Sequence, residues 1–340
     1  MNAISAEPKR RRRYLLIRIT TVLLAMAMLL AMAFWWWWDF EPNDFDVSAH
    51  AQARASTRGQ PVVVGTVTTE TLIRVAETLL DKRGGYLSND FMPPGVWMDN
   101  VPSWEFGALL QVRDLAKAYR NEFSRSQTQS TEDIDLLEAD PLFSTPSDRW
   151  LLPASENQYR KAIGHVEAYL TRLSDKDEYN AQFYARADNL GDWLAVVEKR
   201  LGSLSQRLSA SVGQVRVDTD LGGDAEARQS TPAAAQQSIK TPWLQVDDVF
   251  YEARGSTWAL LHFLRAAEQD FEPVLRDKNA LVSLRQIIRE LEESQQPLGS
   301  PIVLNGSPYG FFANHSLVMA NYVSRANAAI IDLRKLLERG

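Results

Sequence analysis

The chain of 340 residues contains no cysteine. Disulfide bonds, thiolate metal sites and cysteine nucleophiles are therefore excluded. Histidine is also scarce, with four residues, and no two of them stand four apart on a predicted helix, so the sequence predicts no metal site. Phosphate-binding glycine loops and dinucleotide-binding motifs are missing as well, and no cofactor is predicted.

Positive charge is in deficit, because 37 Lys and Arg stand against 43 Asp and Glu and the net charge is −6 at pH 7. Phosphate contacts need clustered cations, so this balance argues against a nucleic-acid partner. The charge is also divided unevenly. Residues 1–38 carry a net charge of +5 and the remainder of the chain carries −11, and two parts that differ so strongly are expected to have different surroundings.

Residues 19–38 form a run of 20 residues without a charge. As a helix this run is about 30 Å long, which matches the hydrocarbon core of a bilayer. Basic residues precede it, and four tryptophans at 35–38 end it, where a membrane interface favours amphipathic rings. We therefore predict a cytoplasmic basic stub at 1–18, one transmembrane helix at 19–38 and, by the positive-inside rule, a bacterial inner-membrane protein with a periplasmic C-terminal domain.

Two export signals are the alternatives to this anchor. Ala31, Met32 and Ala33 resemble a signal-peptidase site, although cleavage there would leave Phe34 and four tryptophans at the new N-terminus. Residues 11–15 match a twin-arginine signal only loosely. The length of the apolar run favours the uncleaved anchor.

Helical periodicity dominates the rest of the chain. It predicts a helix at 155–173, opened by a capping box of Ser155 and Gln158, and another helix at about 274–293. The run 62–67 is short and β-prone, and a lone strand is one interpretation of it.

Residues 39–61 are predicted to be a polar tether. Residues 62–340 are predicted to be a single all-α periplasmic domain, a bundle of about seven helices with flexible insertions near 124–148 and 218–241. The clearest helix carries a heptad seam, which suits packing against another helix of the same domain or, as the alternative, self-association in a dimer: Leu190, Leu194, Val197, Leu201, Leu204 and Leu208.

Two loops carry aromatic, proline and glycine residues. Residues 84–107 are longer than a helix connection needs, and residues 294–324 contain no charged side chain. We expect the loops 84–107 and 294–314 to lie close together at one end of the bundle, with four aromatic side chains buried against one another: Phe91, Trp97, Phe311 and Phe312. The alternative is that both are ordered connections without a binding role. The predicted candidate binding surface comprises Asp90, Trp97, Asp99, Trp104, Tyr309, Phe311, Asn314 and His315, with Asn314 also expected to cap the last helix.

Three other residues invite a chemical interpretation. His165 and His262 lie on predicted helices among apolar neighbours, and we expect hydrogen-bonded core histidines. Glu293, followed by a serine, superficially resembles the Glu-Ser pair of lysozyme-like lytic glycosidases. The Gly-Leu-Met-Gln segment expected downstream is missing here, so this comparison supports catalysis weakly.

Several of these segments resemble a known family. They are the apolar N-terminal run, the residues Tyr-Leu-Ser-Asn-Asp, Pro-Pro-Gly-Val-Trp-Met-Asp-Asn and Trp-Glu-Phe-Gly within 86–107, and the last helix with Asn-His-Ser at 314–316, Asn-Tyr at 321–322 and Arg-Ala-Asn at 325–327. Over nearly its whole length the chain is similar to a proteobacterial family catalogued as domain of unknown function number 2333. The resemblance implies a single-pass inner-membrane protein and supplies no functional residues.

The function favoured by these observations is a membrane-anchored scaffold or interaction module of the bacterial cell envelope, with an envelope protein as its partner, rather than an enzyme. A ligand- or lipid-binding helical domain is the first alternative. A hydrolase acting on envelope polymer is the second.

Overall fold

The computed structural model describes residues 7–126, 130–175, 180–217 and 236–339. Within these ranges it contains eleven helices and one antiparallel pair of short strands, so the all-α prediction is confirmed, with more helices than the seven expected. The helices are α1 (Glu7–Trp38), α2 (Val47–Arg58), α3 (Thr66–Asp81), α4 (Asn100–Ala118), α5 (Ile134–Phe143), α6 (Ser155–Leu173), α7 (Ala187–Ser209), α8 (Val246–Asp270), α9 (Glu272–Asp277), α10 (Leu281–Ser294) and α11 (His315–Glu338). The strands are β1 (Gln214–Val217) and β2 (Gln236–Ile239).

Helix α1 stands apart from the bundle. Its stretch Arg11–Trp38 is long and apolar enough to cross a membrane, and no part of its most apolar window is buried by the rest of the chain. A helix that is apolar around its circumference and is not covered by the rest of the protein needs another apolar environment for its side chains. Its last residue, Trp38, packs on the domain.

The centre of the bundle is the pair α4 and α8, which approach so closely that neither can carry a side chain at the crossing. A Cβ on Gly107 would lie 1.9 Å from the carbonyl oxygen of Glu252, and a Cβ on Gly255 would lie 1.9 Å from that of Trp104. Trp104 and Trp258 fill the space beside this crossing, with ring centroids 5.1 Å apart. The two glycines therefore set the distance between the helices.

The heptad seam of α7 packs against α11 in the same domain. Its six leucine and valine residues are at most 5% exposed, which confirms the predicted buried face. The helices are antiparallel: Arg334 donates to the Gly191 carbonyl (3.3 Å) near the start of α7, whereas further along α7 a Cβ on Gly202 would lie 3.6 Å from the Asn327 side chain.

The polarity of the helices defines two ends of the bundle. Ser103 donates to Asp248 (3.1 Å) near the starts of α4 and α8, so these two helices run in the same direction. Arg207, near the end of α7, pairs with Glu252 close to the start of α8. The amide of Asn305, ahead of α11, donates to the Ser211 carbonyl just after α7 (3.1 Å). The starts of α4, α8 and α11 and the end of α7 thus lie together.

The predicted tether and one predicted insertion are folded, contrary to expectation. Asp46 caps α2, whose alanine Ala51 is fully buried against the domain, so residues 39–61 are part of the structure. Residues 134–143 form α5, with Leu136 and Phe143 1% exposed. The apolar face of α2 is narrow, with Val47, Ala51 and Ala55 buried, whereas α5 is short but mostly apolar. In both, tertiary burial outweighs the polar composition of the surrounding segment. Of the second insertion, residues 218–235 lie outside the described ranges, and its flanks form β1 and β2.

Helix ends agree with the sequence in part. The helix predicted at 155–173 has these bounds, but Ser155 donates to the Pro146 carbonyl (2.7 Å) instead of capping. The helix expected at 274–293 is broken between α9 and α10 at Asn279, whose φ of 51° is left-handed. The lone strand considered at 62–67 is absent from this described segment, because Val64 and Gly65 lie in a turn and α3 already begins at Thr66.

We expect Gly255→Ala to destabilise the domain by about 3 kcal/mol or more, because the new methyl group meets the backbone of α4 rather than a movable side chain. Gly164→Ala is the matched control. Gly164 is also helical but has no heavy atom near its Cβ position, so alanine should stabilise by about 0.5–1 kcal/mol. Urea unfolding of the full chain in detergent, followed by far-UV circular dichroism, measures both, and similar values would refute the close crossing.

Candidate functional site

The candidate site lies where α1 meets the bundle, at what we call the α1-proximal end: the end that collects the starts of α4, α8 and α11. Trp38 packs against Leu87, Met98 and Val101. A Cβ on Gly84 would lie 2.7 Å from Cγ of Trp38, and φ at Gly84 is 82°, so glycine is required there for two reasons. The loop within residues 84–107, which is predicted to contribute to a binding surface, therefore surrounds the point at which α1 ends.

An ion pair fixes the segment that follows α1. Glu41 accepts two hydrogen bonds from the guanidinium of Arg254, whose side chain is only 7% exposed. The remaining Arg254 nitrogen donates to the carbonyls of Ser294 (3.2 Å) and Gln296 (2.9 Å) at the end of α10. A cation is favoured at a helix C-terminus, and a bidentate carboxylate satisfies its other side. One arginine thus joins three parts of the chain.

A stacked pair of rings holds the same segment further along. The ring of Phe45 is stacked on that of His262, with the centroids 4.1 Å apart and the two planes nearly parallel. The Phe45 N–H donates to Nε2 of His262 (3.1 Å), so Nδ1 carries the proton and donates to the Trp258 carbonyl (2.8 Å). Burial lowers the pKa of His262 to about 4, and the ring is neutral near pH 7. The prediction of a hydrogen-bonded core histidine is confirmed here.

The prediction that His165 is also a core histidine is wrong. The imidazole of His165 is 37% exposed and lies 3.3 Å from Asp135 on α5. It faces the edge of α5 instead of the centre of the bundle, which sequence periodicity alone could not distinguish.

A buried ion pair organises the loop after α3. Glu105 is completely buried and pairs with Lys82, whose side chain is 4% exposed. Its oxygens also accept hydrogen bonds from the backbone N–H groups of Leu87 and Ser88, each at 2.8 Å. A buried carboxylate is tolerated only when it is paired and hydrogen-bonded. Glu105 therefore holds the loop in one conformation beside Trp38.

Carboxylates also lie close to the end of α1. Burial raises the pKa of Asp39 to about 6, and the negative charges of Glu41 and Asp99 act in the same direction. Burial likewise raises the pKa of Asp248, which accepts a hydrogen bond from Ser103. Asp99 at the start of α4 and Tyr251 in α8 are thus within electrostatic reach of Asp39, the residue that follows α1.

Some residues of the predicted binding surface support the fold, and others are exposed. Trp104 is 1% exposed and packs on Trp258, so the prediction that it belongs to a binding surface is wrong. The physical reason is that α4 begins at Asn100 and its second turn, which contains Trp104, already faces α8. Asp99 accepts a hydrogen bond from Asn100 N (3.0 Å) at the start of α4. Asn314 caps α11 through Leu317 N (2.9 Å), as expected.

The aromatic side chains of the two loops are exposed, contrary to the expectation that they bury one another. Phe91 is 62% and Phe311 97% exposed. Phe91 contacts Trp150 (4.8 Å between centroids), and Phe311 contacts only its neighbour Phe312 (5.6 Å) among the ring contacts of the described residues. Both loops nevertheless belong to the α1-proximal end, since one precedes α4 and the other precedes α11. Exposed at the same end are Asp90, Trp97 and Tyr309.

A cavity of about 180 Å³ lies beside the loop between α10 and α11. Its walls are apolar on the α8 and α11 sides, through Phe250 and Met319, with Arg254 and His315 at the polar edge. Nδ1 of His315 accepts the Leu304 N–H (3.1 Å), which ties the loop to α11. Glu293 and Ser294 both border the cavity, and the hydroxyl of the buried Ser294 donates to the Leu291 carbonyl (2.6 Å). Among the residues that the structure describes, no group of three His, Asp or Glu side chains could hold a metal ion.

Sequence reasoning missed the residues that join α1 to the bundle. Glu41 and Phe45 lie in the segment taken for a tether, and their partners Arg254 and His262 lie more than two hundred residues away. The one available signal was an arginine between alanine and glycine in an otherwise buried helix, a position where an unpaired charge is costly.

Comparison with known proteins gives one match. The sequence model of a family described as an uncharacterised protein conserved in bacteria (DUF2333) covers residues 10–340, that is α1 and the bundle together. No curated protein and no solved structure matches the chain.

We expect Glu105→Gln to lower the free energy of unfolding by about 3–5 kcal/mol, because it leaves the buried Lys82 charge unpaired. The matched control is Asp81→Asn. Its ion pair with Arg160 belongs to the same end but is more than half exposed, and its loss should cost less than about 1 kcal/mol. Urea unfolding in detergent measures both, and equal small losses would contradict the role given to Glu105.

A pH dependence follows from His262. Its pKa in the folded state is about 4 against 6.5 for an exposed histidine, so unfolding takes up a proton between these values and stability falls as the pH is lowered from 6.5 to 4. At pH 5, His262→Gln should reduce the protons taken up on unfolding by about one, and the glutamine oxygen can still accept the Phe45 N–H. Unfolding titrations at a series of pH values measure the slope. An unchanged slope would mean that His262 is charged in the folded protein.

Proposed function

The chain belongs to the DUF2333 family, and from this premise we propose that it is a scaffold or interaction module of the bacterial cell envelope, anchored in the inner membrane by α1. Its N-terminus is cytoplasmic and its bundle periplasmic. The length of the apolar stretch Arg11–Trp38 supports the anchor. The basic flank before it and the acidic chain after it support the orientation.

One observation carries the scaffold role: the anchor passes into the fold without a flexible joint. Trp38, Glu41 and Phe45 are each held by side chains of the bundle. A domain joined in this way keeps one height and one orientation above a membrane. It therefore presents the same surface to every partner, which is what assembly of an envelope complex requires and what a tethered domain does not provide.

Ligand binding is the second candidate, and the cavity beside His315 is the observation that favours it. Its volume of about 180 Å³ is smaller than the roughly 300–1,000 Å³ of ordinary ligand pockets. A ligand there would be no larger than a short acyl chain or a single ring. The scaffold role is better supported because it uses the whole junction between α1 and the bundle.

Cross-linking in intact cells tests the scaffold role. A lysine-reactive cross-linker followed by quantitative mass spectrometry should recover a defined set of envelope proteins with the full chain. The matched variant is Glu41→Ala with Phe45→Ala, which releases the junction but leaves α1 intact, and recovery of that set should fall several-fold. Recovery of no envelope protein above background, or equal recovery with both chains, would refute a scaffold of fixed orientation.

The anchor is tested separately by fractionation. The full chain should stay in the membrane pellet after washing with high salt, and its N-terminal peptide should include residues 35–38. A soluble form that begins near Phe34 would identify α1 as a cleaved signal peptide.

A further inference from the structure

The exposed aromatic residues of the bundle are distributed unevenly. Beyond α1, eight phenylalanine, tryptophan and tyrosine side chains of the described residues are exposed, and the other described ones are buried or half-buried. The eight are Phe40, Phe91, Trp97, Trp150, Trp243, Tyr309, Phe311 and Phe312. Single exposed apolar residues are normal on a protein surface, whereas a concentration of aromatics at one place indicates an interaction site.

All eight belong to the α1-proximal end. Phe40 follows α1 by two residues, and Trp97 precedes Met98, which packs on Trp38. Phe91 contacts Trp150. Trp243 stands three residues before α8, and residues 309–312 form the tip of a loop that begins and ends at the start of α11, where Asn305 and Asn314 are bridged.

The end that carries these rings is the end from which α1 leaves the bundle. Aliphatic side chains that are more than half exposed accompany them in the same segments: Met92, Leu151, Leu152, Leu244 and Ile302. The rings are held in place from behind. Arg83 lies over the ring of Phe40 (5.2 Å), and the buried Glu105 fixes the loop that leads to Phe91 and Trp97. Exposed rings on supported loops are arranged for contact with something outside the chain.

We propose that this end of the bundle is a lipid-contacting base, whose aromatic tips enter the headgroup region of the leaflet from which α1 emerges. The inference rests on the membrane anchor of the proposed function. Amphipathic aromatic rings are enriched at the level of the lipid headgroups, and a surface that adjoins a transmembrane helix is already at that level. The bilayer is therefore the occupant that the connection to α1 selects.

The base also accounts for the stretch 294–324, which contains no charged residue. This stretch supplies Ile302, Tyr309, Phe311 and Phe312, and a charge among them would resist entry into the interface. Burial in the core does not explain it, since Tyr309 and Phe311 are almost completely exposed. With four loops and α1 in the same leaflet, the bundle lies on the membrane at several points and cannot rotate about a single helix.

The absence of cysteine from the chain allows a direct test with one introduced cysteine at a time. The full chain is labelled with the fluorophore NBD at Trp97→Cys or Phe311→Cys and reconstituted in nanodiscs of phosphatidylethanolamine and phosphatidylglycerol, with or without a lipid that carries a nitroxide near the headgroup. The control is Val282→Cys. Val282 is 77% exposed in the first turn of α10, at the opposite end of the bundle. Leu24→Cys in α1 is the membrane reference.

NBD at Trp97→Cys and Phe311→Cys should emit at shorter wavelength than at Val282→Cys and be quenched by the nitroxide lipid, while Val282→Cys is not quenched. If these two sites match Val282→Cys while Leu24→Cys responds to lipid, the lipid-contacting base is refuted and the anchor stands. If Leu24→Cys also fails to respond, the anchor itself is refuted and the inference falls with it. Circular dichroism of each labelled variant confirms that the bundle is intact.

Discussion

The structure depends on the crossing of α4 and α8 at two glycines. Gly107 and Gly255 let the two backbones touch, so the helices pack side by side. They run in the same direction, and their first turns lie at the same end. The loops that precede them are consequently brought to that end as well. The remaining helices pack around this pair, α3 and α10 on α8 and α7 on α4. A larger side chain at the crossing would separate the two helices and would displace every loop that surrounds the end of α1.

Buried charges hold α1 in position on this framework. Arg254 and Glu41, and Lys82 and Glu105, form two ion pairs in which at least one member is almost completely buried. Such pairs add little net stability compared with apolar packing, but they are costly to break once formed. They therefore specify one arrangement of the junction rather than strengthen the bundle in general. The neutral imidazole of His262 acts in the same way, because its two nitrogens are both committed to backbone groups.

The chemistry of the α1-proximal end differs from that of the rest of the surface. Elsewhere the helices carry ion pairs between exposed side chains, such as Arg276 with Glu272 and Arg285 with Glu268. Around the end of α1 the exposed aromatic side chains are concentrated on loops that internal hydrogen bonds support, beside a few exposed charges such as Asp90 and the Asp81–Arg160 pair. A membrane protein whose bundle rests on lipid needs this division. The proposed scaffold role and the proposed lipid-contacting base thus describe two surfaces of one molecule, a base that faces the bilayer and flanks that remain available to partners.

The sequence by itself determined the features that depend on local periodicity and charge: the all-α class, the apolar helix α1, the bounds of α6, the buried seam of α7 and the cap at Asn314. These follow from side chains that lie within a few turns of one another. The tertiary structure alone decided that residues 39–61 are folded, that Trp104 lies in the core and that Phe91 and Phe311 are exposed. Each of these depends on partners distant in sequence, as with Glu41 and Arg254. A polar segment or an aromatic loop has the same local sequence pattern whether its partner is protein, water or lipid.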